Sequence, residues 1–190
     1  MNIEQIQQQV LQAKPLQIIG NNSQLNTHFA NTLNMSVYSG IVGYQSEELV
    51  MTVKAGTTIA YIENILAQSD QVLPFAVENK QSTTIGGAYA IGSPELRDAV
   101  LGVKVIDGKG RILNFGGKVM KNVAGYDVSR LLVGSKGQLV AVCEISFRVL
   151  PKAYAIPSST RASIEPSQSE AKQQIKQNLK NVFDPNGIFI

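Results

Sequence analysis

Two glycine-containing segments hold the residues of this chain best suited to bind a ligand. The first is Thr83-Thr84-Ile85-Gly86-Gly87-Ala88, and the second covers residues 116–127. Glycine leaves backbone N–H groups uncovered by side chains, so two such segments lining one cleft can hold an anionic, nucleotide-like ligand. Glycine pairs also occur at ordinary turns and bulges, and the pattern alone leaves that alternative open.

The composition indicates a folded domain and argues against several kinds of site. The 190 residues are 44% hydrophobic, and the net charge of +3 comes from scattered side chains, so a nucleic-acid surface is not expected. His28 is the only histidine and Cys143 the only cysteine. These counts argue against a His-based metal site, a Ser-His-Asp triad and an internal disulfide. We expect Cys143 to be a buried strand thiol. No leader pattern or membrane-spanning run is found in the sequence, which favours a cytoplasmic protein.

The N-terminal part predicts a helix, a strand and a turn. An apolar stripe over residues 3–11 indicates a helix that ends before Pro15, and residues 16–19 form a short strand. The turn that follows, Gly20-Asn21-Asn22-Ser23, suits a bound phosphate. It equally suits a surface turn that caps a helix carrying Leu25, Phe29 and Leu33 on one face.

The middle of the chain is rich in predicted strands, so the whole is an α+β pattern. Residues 49–53 form a strand, and Thr57 or Thr58 begins a helix with its stripe over residues 59–66. Residues 100–106 and 111–115 are predicted strands on either side of Asp-Gly-Lys-Gly, a sequence typical of a β-hairpin turn. Asp127 or Ser129 opens a short helix that the glycines of residues 134–137 break.

The C-terminal part predicts one long strand, a linker and a final helix. In residues 141–149 the odd-numbered positions are apolar, which predicts that one face of the strand is buried and the other largely polar. Residues 157–168 are rich in serine and proline, as in a linker. Ser167 and Glu170 have capping-box spacing. The helix stripe is Ile175, Leu179, Val182 and Phe183, and an apolar tail, residues 188–190, follows it and suggests a partner or self-association.

The second glycine segment carries a resemblance to a known family. Residues 117–135, Gly-Lys-Val-Met-Lys-Asn-Val-Ala-Gly-Tyr-Asp-Val-Ser-Arg-Leu-Leu-Val-Gly-Ser, closely resemble the FAD-binding E subunits of bacterial glycolate oxidases. These subunits belong to the vanillyl-alcohol-oxidase, or PCMH-type, flavoproteins. The likeness continues in shorter stretches over about residues 14–152, and residues 179–189 are similar to the C-terminal helix and tail of that family.

The resemblance implies a PCMH-type α+β fold with non-covalent FAD between two subdomains. It places the FAD-binding domain at residues 1–152, with subdomains of about 1–56 and 57–152, and a C-terminal helix and tail at 169–190. Lys121 would stabilise the negative charge of the diphosphate or of a reduced flavin, or it would be a solvated lysine in a loop. Tyr126 would contact the cofactor, or it would be an aromatic residue of the core. The cofactor-binding residues so implied are Gly20, Asn21, Asn22, Ser23, Thr84, Ile85, Gly86, Gly87, Gly92, Asp98, Lys121, Asn122, Gly125, Tyr126 and Val142.

Three departures from the family pattern make the functional implication conditional. Asparagines replace glycines after Gly20, the loop over residues 90–98 is short, and residues 153–168 stand as a linker where the family has a cap domain. Gln138 and Val140 replace small residues near the expected adenine end.

The implied function is a flavoprotein subunit for oxidation of a 2-hydroxy acid, glycolate to glyoxylate, with a second flavin subunit and an iron-sulfur subunit as partners. It would be cytoplasmic or peripheral to the inner face of the membrane. The alternative is a non-catalytic remnant of the fold that serves as a binding or assembly module. No catalytic residue and no metal site is assigned.

Overall fold

A computed structural model of the chain describes residues 1–12, 15–21, 31–117, 127–154 and 170–190. The elements in chain order are α1 (Ile3–Gln12), β1 (Gln17–Ile19), β2 (Thr32–Asn34), β3 (Ile41–Gln45), β4 (Val50–Lys54), α2 (Ile59–Ala67), β5 (Gln71–Val72), α3 (Ile85–Ile91), α4 (Pro94–Ala99), β6 (Val100–Asp107), β7 (Ile112–Gly116), α5 (Val128–Leu131), β8 (Val140–Arg148), β9 (Leu150–Pro151), a 3₁₀ turn (Lys152–Tyr154) and α6 (Glu170–Phe183).

Local signals explain where several of these elements begin. The Thr58 hydroxyl accepts a hydrogen bond from the Tyr61 N–H and caps α2, and the Asp127 carboxylate accepts one from the Arg130 N–H and caps α5. The apolar stripe of α1 buries Ile6 and Val10. The structure thus selects Thr58 from the two predicted caps of α2 and Asp127 from the two predicted caps of α5.

A five-stranded antiparallel sheet forms the centre of the described chain. Its strand order is β3-β4-β8-β6-β7, and β6 and β7 form the predicted hairpin. Two smaller sheets pair β1 with β2 in parallel and β5 with β9. The central sheet takes strands from both sides of residue 56, so the subdomain boundary predicted there does not coincide with a break between sheets. The domain division itself stays a prediction.

The sheet separates two hydrophobic clusters. Val105 of β6 belongs to the larger cluster, beneath α2, α3 and α4, and its neighbour Ile106 belongs to the smaller one, beneath α1. Successive residues of a strand point to opposite faces, so each cluster covers one face of the sheet. Ile188 and Phe189 are also part of the smaller cluster.

The odd-numbered residues of β8 are divided between the two clusters because of a bulge. Ile145 and Phe147 lie in the larger cluster, whereas Ala141 and Cys143 lie in the smaller one. Lys104 pairs with Glu144, but Val105 pairs with Val142, so the register shifts by one and Cys143 has no opposite residue in β6. A bulge of one residue reverses the alternation. The prediction that all the odd-numbered residues share one face was therefore wrong.

Other predictions of secondary structure also need correction. Leu33 lies in β2 and not on a helix. Residues 90–98 are not a loop, since they contain the end of α3 and most of α4. On α6, Leu179 and Phe183 pack against the larger cluster, whereas Ile175 and Val182 are exposed. The predicted linker over 157–168, Ser167, and Leu25 and Phe29 lie outside the described residues.

The C-terminal tail packs against the first strand. The Leu16 N–H donates to the Ile188 carbonyl oxygen (2.7 Å), and the Ile190 N–H donates to the Leu16 carbonyl oxygen (3.2 Å). Ile188 and Phe189 are buried. Ile188 and Phe189 are thus covered by the chain itself, whereas Ile190 is exposed, so the suggestion of a partner surface is corrected for the first two tail residues only. Among the described residues, no helix combines the length and apolar character needed to cross a bilayer.

Candidate functional site

A cleft lies where the end of β1, the start of α3 and the segment before β8 meet. Its enclosed volume is about 90 Å³, below the roughly 300–1,000 Å³ of ordinary ligand pockets, so a dinucleotide would extend beyond it. The residues lining it are Gln17, Ile18, Ile19, Gly20, Asn21, Met35, Ala55, Thr84, Gly86, Gly87, Ala90, Ile91, Ser135, Lys136, Gly137, Val140 and Val142.

One wall of the cleft is a face of α3. Gly87, Ala90 and Ile91 are spaced i, i+3 and i+4, so they share one side of the helix. Thr84 precedes the helix, and its hydroxyl accepts a hydrogen bond from the Gly87 N–H (3.1 Å). The first glycine segment is thus the beginning of a helix, which the sequence analysis did not predict.

The backbone donors of this helix start are all used inside the protein. The Ile85 N–H donates to the Thr57 carbonyl oxygen (2.8 Å), and the Gly86 N–H donates to the Ala55 carbonyl oxygen (2.8 Å). The Ala88 N–H donates to the Thr84 carbonyl oxygen (2.9 Å). Together with the Gly87 bond to Thr84, these pairings leave none of the N–H groups of residues 85–88 for a diphosphate. The expectation of free donors therefore fails for these four residues, whereas no hydrogen bond of the Thr84 N–H is found among the described residues.

Gly86 serves packing rather than ligand access. A Cβ atom at Gly86 would lie 2.9 Å from both the Cβ and the carbonyl oxygen of Ala55. A Cβ at Gly87 would meet only the Thr84 hydroxyl, at 3.3 Å. Gly86 lets α3 approach β4, whereas Gly87 keeps one side of the cleft bare.

The opposite wall is the exit of β1, at Gly20 and Asn21. No hydrogen bond of either residue's N–H is found among the described residues. A Cβ at Gly20 would lie 2.8 Å from the Thr84 hydroxyl oxygen, so the two walls come closest at this point. Free N–H groups beside a glycine are the donors that an anionic group needs.

The third wall, residues 135–137, was not assigned to the site from the sequence. The Gly134 N–H donates to the Tyr89 carbonyl oxygen and the Lys136 N–H donates to the Ala90 carbonyl oxygen, both at 2.9 Å. These bonds fix the segment against α3. Gly137 has φ +74, and a Cβ there would lie 3.5 Å from the Cβ of Ile18. The glycine pair at 134 and 137, which the sequence analysis used only as a helix break, is the signal that could have identified this wall.

Lys136 supplies the only charge among the residues that line the described cleft, and it is exposed at the cleft's edge. The floor beneath it is apolar, since Met35, Ala55 and Val140 are all buried side chains. An apolar floor with a cation and free N–H groups at its rim can take a flat ring and an anionic group together.

Beside the cleft, a polar cluster occupies the sheet. The Tyr38 hydroxyl donates to Glu144 Oε1 (3.2 Å), and Lys104 Nζ donates to the same oxygen (2.9 Å). Burial, followed by the charge of Glu144, raises the pKa of the Tyr38 hydroxyl. Burial raises the pKa of the Cys143 thiol to about 12, with a smaller effect of Glu144. Both groups are therefore neutral at physiological pH.

The structure brings together part of the predicted cofactor set. Gly20, Asn21, Thr84, Gly86, Gly87 and Val142 line the cleft. Three others lie elsewhere: Ile85 is fully buried in the larger cluster, Gly92 packs against Gly134, and Asp98 is exposed near the end of α4. Asn22, Ser23, Lys121, Asn122, Gly125 and Tyr126 lie outside the described residues.

Comparison with known proteins defines the class to which this cleft belongs. A family model described as an FAD binding domain matches residues 2–116, which include β1, α3 and the hairpin. This match covers more than half of the chain, and the chain therefore belongs to the FAD binding domain family. The predicted α+β fold class and the predicted cofactor, FAD, are confirmed at the level of the family.

Among individual relatives, the chain is similar to glycolate oxidase subunit GlcE of Escherichia coli (strain K12). The two are 41% identical over 181 residues, which cover 88% of this chain and 52% of GlcE. Glycolate oxidase subunit GlcD of Bacillus subtilis is 33% identical over 120 residues, covering 59% of this chain and 26% of GlcD. A D-2-hydroxyglutarate dehydrogenase of Xanthomonas citri is 29% identical over 114 residues, covering 56% of this chain and 24% of that enzyme.

These comparisons confirm the resemblance drawn from residues 117–135 and do not favour the non-catalytic alternative. The chain spans about half the length of GlcE. The residues of the cleft fit FAD in two respects. Gly87 leaves one side of the cleft bare, and beside the apolar floor lie the N–H groups of Gly20 and Asn21, which have no hydrogen bond among the described residues.

Proposed function

We propose that this chain is an FAD-binding subunit of a glycolate-oxidase-type enzyme and takes part in the oxidation of a small 2-hydroxy acid, such as glycolate to glyoxylate. The observation that carries the proposal is the cleft at the exit of β1, where the N–H groups of Gly20 and Asn21 have no hydrogen bond among the described residues. The relatives support the substrate class, since the names of GlcE, GlcD and the D-2-hydroxyglutarate dehydrogenase all refer to 2-hydroxy acids.

In this proposal different residues of the cleft hold different parts of the cofactor. The N–H groups of Gly20 and Asn21 would hold the diphosphate, because they have no hydrogen bond among the described residues. Lys136 would add a positive charge for the same anion. Val140 and Val142 would offer an apolar surface to a ring of the cofactor. These contacts are non-covalent, since none of the lining residues is a histidine or cysteine.

When bound, FAD supplies a two-electron acceptor for the oxidation of the hydroxy acid. The part this chain plays is to bind and orient that acceptor and to shield one side of it from water. We name no catalytic base among the described residues. In the proposal, electrons pass to a second flavin subunit and an iron-sulfur subunit in the cytoplasm or at the inner face of the membrane.

The first experiment tests cofactor binding. The purified chain is supplemented with FAD, freed of unbound cofactor, and measured by visible absorption and by thermal unfolding. We expect the absorption bands of a flavin to stay with the protein and the melting temperature to rise with FAD concentration, since a ligand of the native state stabilises it. A colourless protein with no shift would overturn the proposal.

The second experiment tests the reaction. The chain is combined with candidate partner subunits, and reduction of an electron-accepting dye is followed with glycolate, D-lactate and D-2-hydroxyglutarate. We expect dye reduction that depends on both the hydroxy acid and this chain. Equal rates with and without the chain would show that it has no part in the oxidation, even if it binds FAD.

A further inference from the structure

The ammonium group of Lys180 on α6 bonds to two parts of the chain. One directly follows a wall of the cleft in sequence, and the other pairs with the residue that precedes the β1 wall. Its Nζ donates to the Gln138 carbonyl oxygen (2.6 Å), to Asp184 Oδ2 (2.6 Å) and to the Phe189 carbonyl oxygen (2.5 Å). The Lys180 side chain is 25% exposed and that of Asp184 is fully buried. An ammonium group has three donors, and each of them has an acceptor here.

The Phe189 contact leads to the β1 wall. Phe189 lies opposite Leu16 in a parallel bridge, and the neighbouring residues Ile188 and Ile190 bond to Leu16 on either side. Leu16 directly precedes β1, whose other end carries Gly20 and Asn21. The position of the tail therefore sets the position of the strand that presents the free N–H groups.

Asp184 also binds the tail, and it helps to keep the tail in its position beside Leu16. Its two carboxylate oxygens accept the N–H groups of Ile188 and Phe189, both at 2.8 Å. Lys180 compensates the charge of this buried carboxylate across one helical turn. The carboxylate and the ammonium group thus act on the tail together.

The Gln138 contact leads to the other wall. Gln138 directly follows Gly137, and its N–H donates to the Ser135 carbonyl oxygen (3.0 Å). Residues 135–138 therefore form a tight turn, and the carbonyl of its last residue, Gln138, accepts a hydrogen bond from Lys180. The same turn contacts Ile18 of β1 through Gly137.

We propose that Lys180 is a positioning residue for the cofactor cleft, because its ammonium group fixes the spacing between the β1 wall and the wall of residues 135–137. The inference rests on the proposed function, since FAD is the ligand whose binding depends on this spacing. Lys180 does not line the cleft, so it acts only through Gln138 and Phe189.

The test compares Lys180→Met with Lys176→Met. Lys176 is exposed one turn earlier on the same helix, and the same change of side chain there removes none of these contacts. FAD dissociation constants are measured by fluorescence titration well below the melting transition of each variant. We expect about tenfold weaker FAD binding for Lys180→Met, since two carbonyls and a carboxylate lose a donor, and unchanged binding for Lys176→Met.

A second readout separates positioning from general stability. Amide hydrogen exchange is measured without FAD, and we expect Lys180→Met to lose protection at residues 16–19 and 135–139 while β6 and β7 keep theirs. Lys180→Arg retains the charge and is expected to recover part of the affinity. FAD binding equal to that of the unaltered chain in Lys180→Met would overturn the inference, and so would a loss of protection spread evenly over the sheet. If the unaltered chain itself fails to bind FAD, the proposed function fails and the exchange pattern alone decides the positioning role.

Discussion

The two glycine-containing walls of the cleft use glycine for different physical reasons. At the start of α3 the N–H groups of Ile85, Gly86 and Gly87 all donate to protein oxygens, and Gly86 allows close packing on Ala55. At the exit of β1 the N–H groups of Gly20 and Asn21 have no such bonds among the described residues. The first wall is therefore tightly packed, and the second carries the N–H donors that the proposed function requires.

The contrast shows why a glycine motif beside a cleft is not yet a ligand site. Glycine permits both close approach of two backbones and access of a ligand to N–H groups, and only the hydrogen-bond partners tell these uses apart. The Gly-Gly pair has the more conspicuous sequence, but within the part of the chain that the structure describes it is Gly20 and Asn21 whose N–H groups have no hydrogen bond.

The largest expected effect is on stability at the packed wall. Gly86→Ala places a Cβ 2.9 Å from the backbone of Ala55, and we expect a loss of about 1–3 kcal/mol of unfolding free energy from overpacking. Urea denaturation measures it. The matched variant Gly87→Ala has more space and is expected to change stability by less than about 1 kcal/mol, while weakening FAD binding because it narrows the cleft. Equal stability of Gly86→Ala and the unaltered chain would contradict the packing role.

A smaller effect is expected at the cap of α3. Thr84→Ala removes the oxygen that accepts the Gly87 N–H, and we expect a loss of about 1 kcal/mol. Thermal and urea unfolding measure this loss. Thr84→Ser keeps the hydroxyl and serves as the control. If the alanine and serine variants are equally stable, the hydroxyl does not contribute through the cap.

The contact between the walls can be tested by a double-mutant cycle. Gly20→Ala brings a Cβ to 2.8 Å from the Thr84 hydroxyl oxygen, so we expect the substitution to destabilise the chain. In the Thr84→Ala background that oxygen is gone, and we expect at least about 0.5 kcal/mol of the cost to be recovered. Purely additive unfolding energies would mean that the two residues do not meet in solution.

The last prediction involves no change of sequence. Amide exchange followed by NMR is expected to be slow at residues 85–88 with or without FAD, because these N–H groups are already paired. Gly20 and Asn21 are expected to exchange fast in the free chain and to slow when FAD is added. Protection of both segments in the absence of FAD would remove the distinction between the walls.

Local sequence signals predicted much of the fold. The hairpin of β6 and β7, the cap at Thr58 and the stripe of α1 follow from turn chemistry, capping and periodicity within short windows. The start of α3 was missed, because a Gly-Gly pair has low helix propensity and the turn is held by distant acceptors at Ala55 and Thr57.

The site was predictable only where its residues are adjacent to the obvious motifs. Gly20 and Asn21 were proposed from the turn after β1, and they line the cleft. The wall at residues 135–137 was missed because its place depends on bonds to Tyr89 and Ala90, far away in sequence. Asp98 was included by likeness to a family, and it lies at the exposed end of α4, outside the cleft.

The bulge at Cys143 divides β8 into two parts, and the odd-numbered residues point to opposite faces of the sheet in the two parts. Residues 145–147 are in register with the large core, while Val140 and Val142 face the cleft beyond the extra residue. Deleting Cys143 would restore a regular ladder in which Glu144 and Val142 remain opposite Lys104 and Val105, so Val142 would keep its face of the sheet. Val140 is a buried member of the large cluster and also lines the cleft, so a substitution that reshapes this part of the floor for a different ligand also changes the packing of the core.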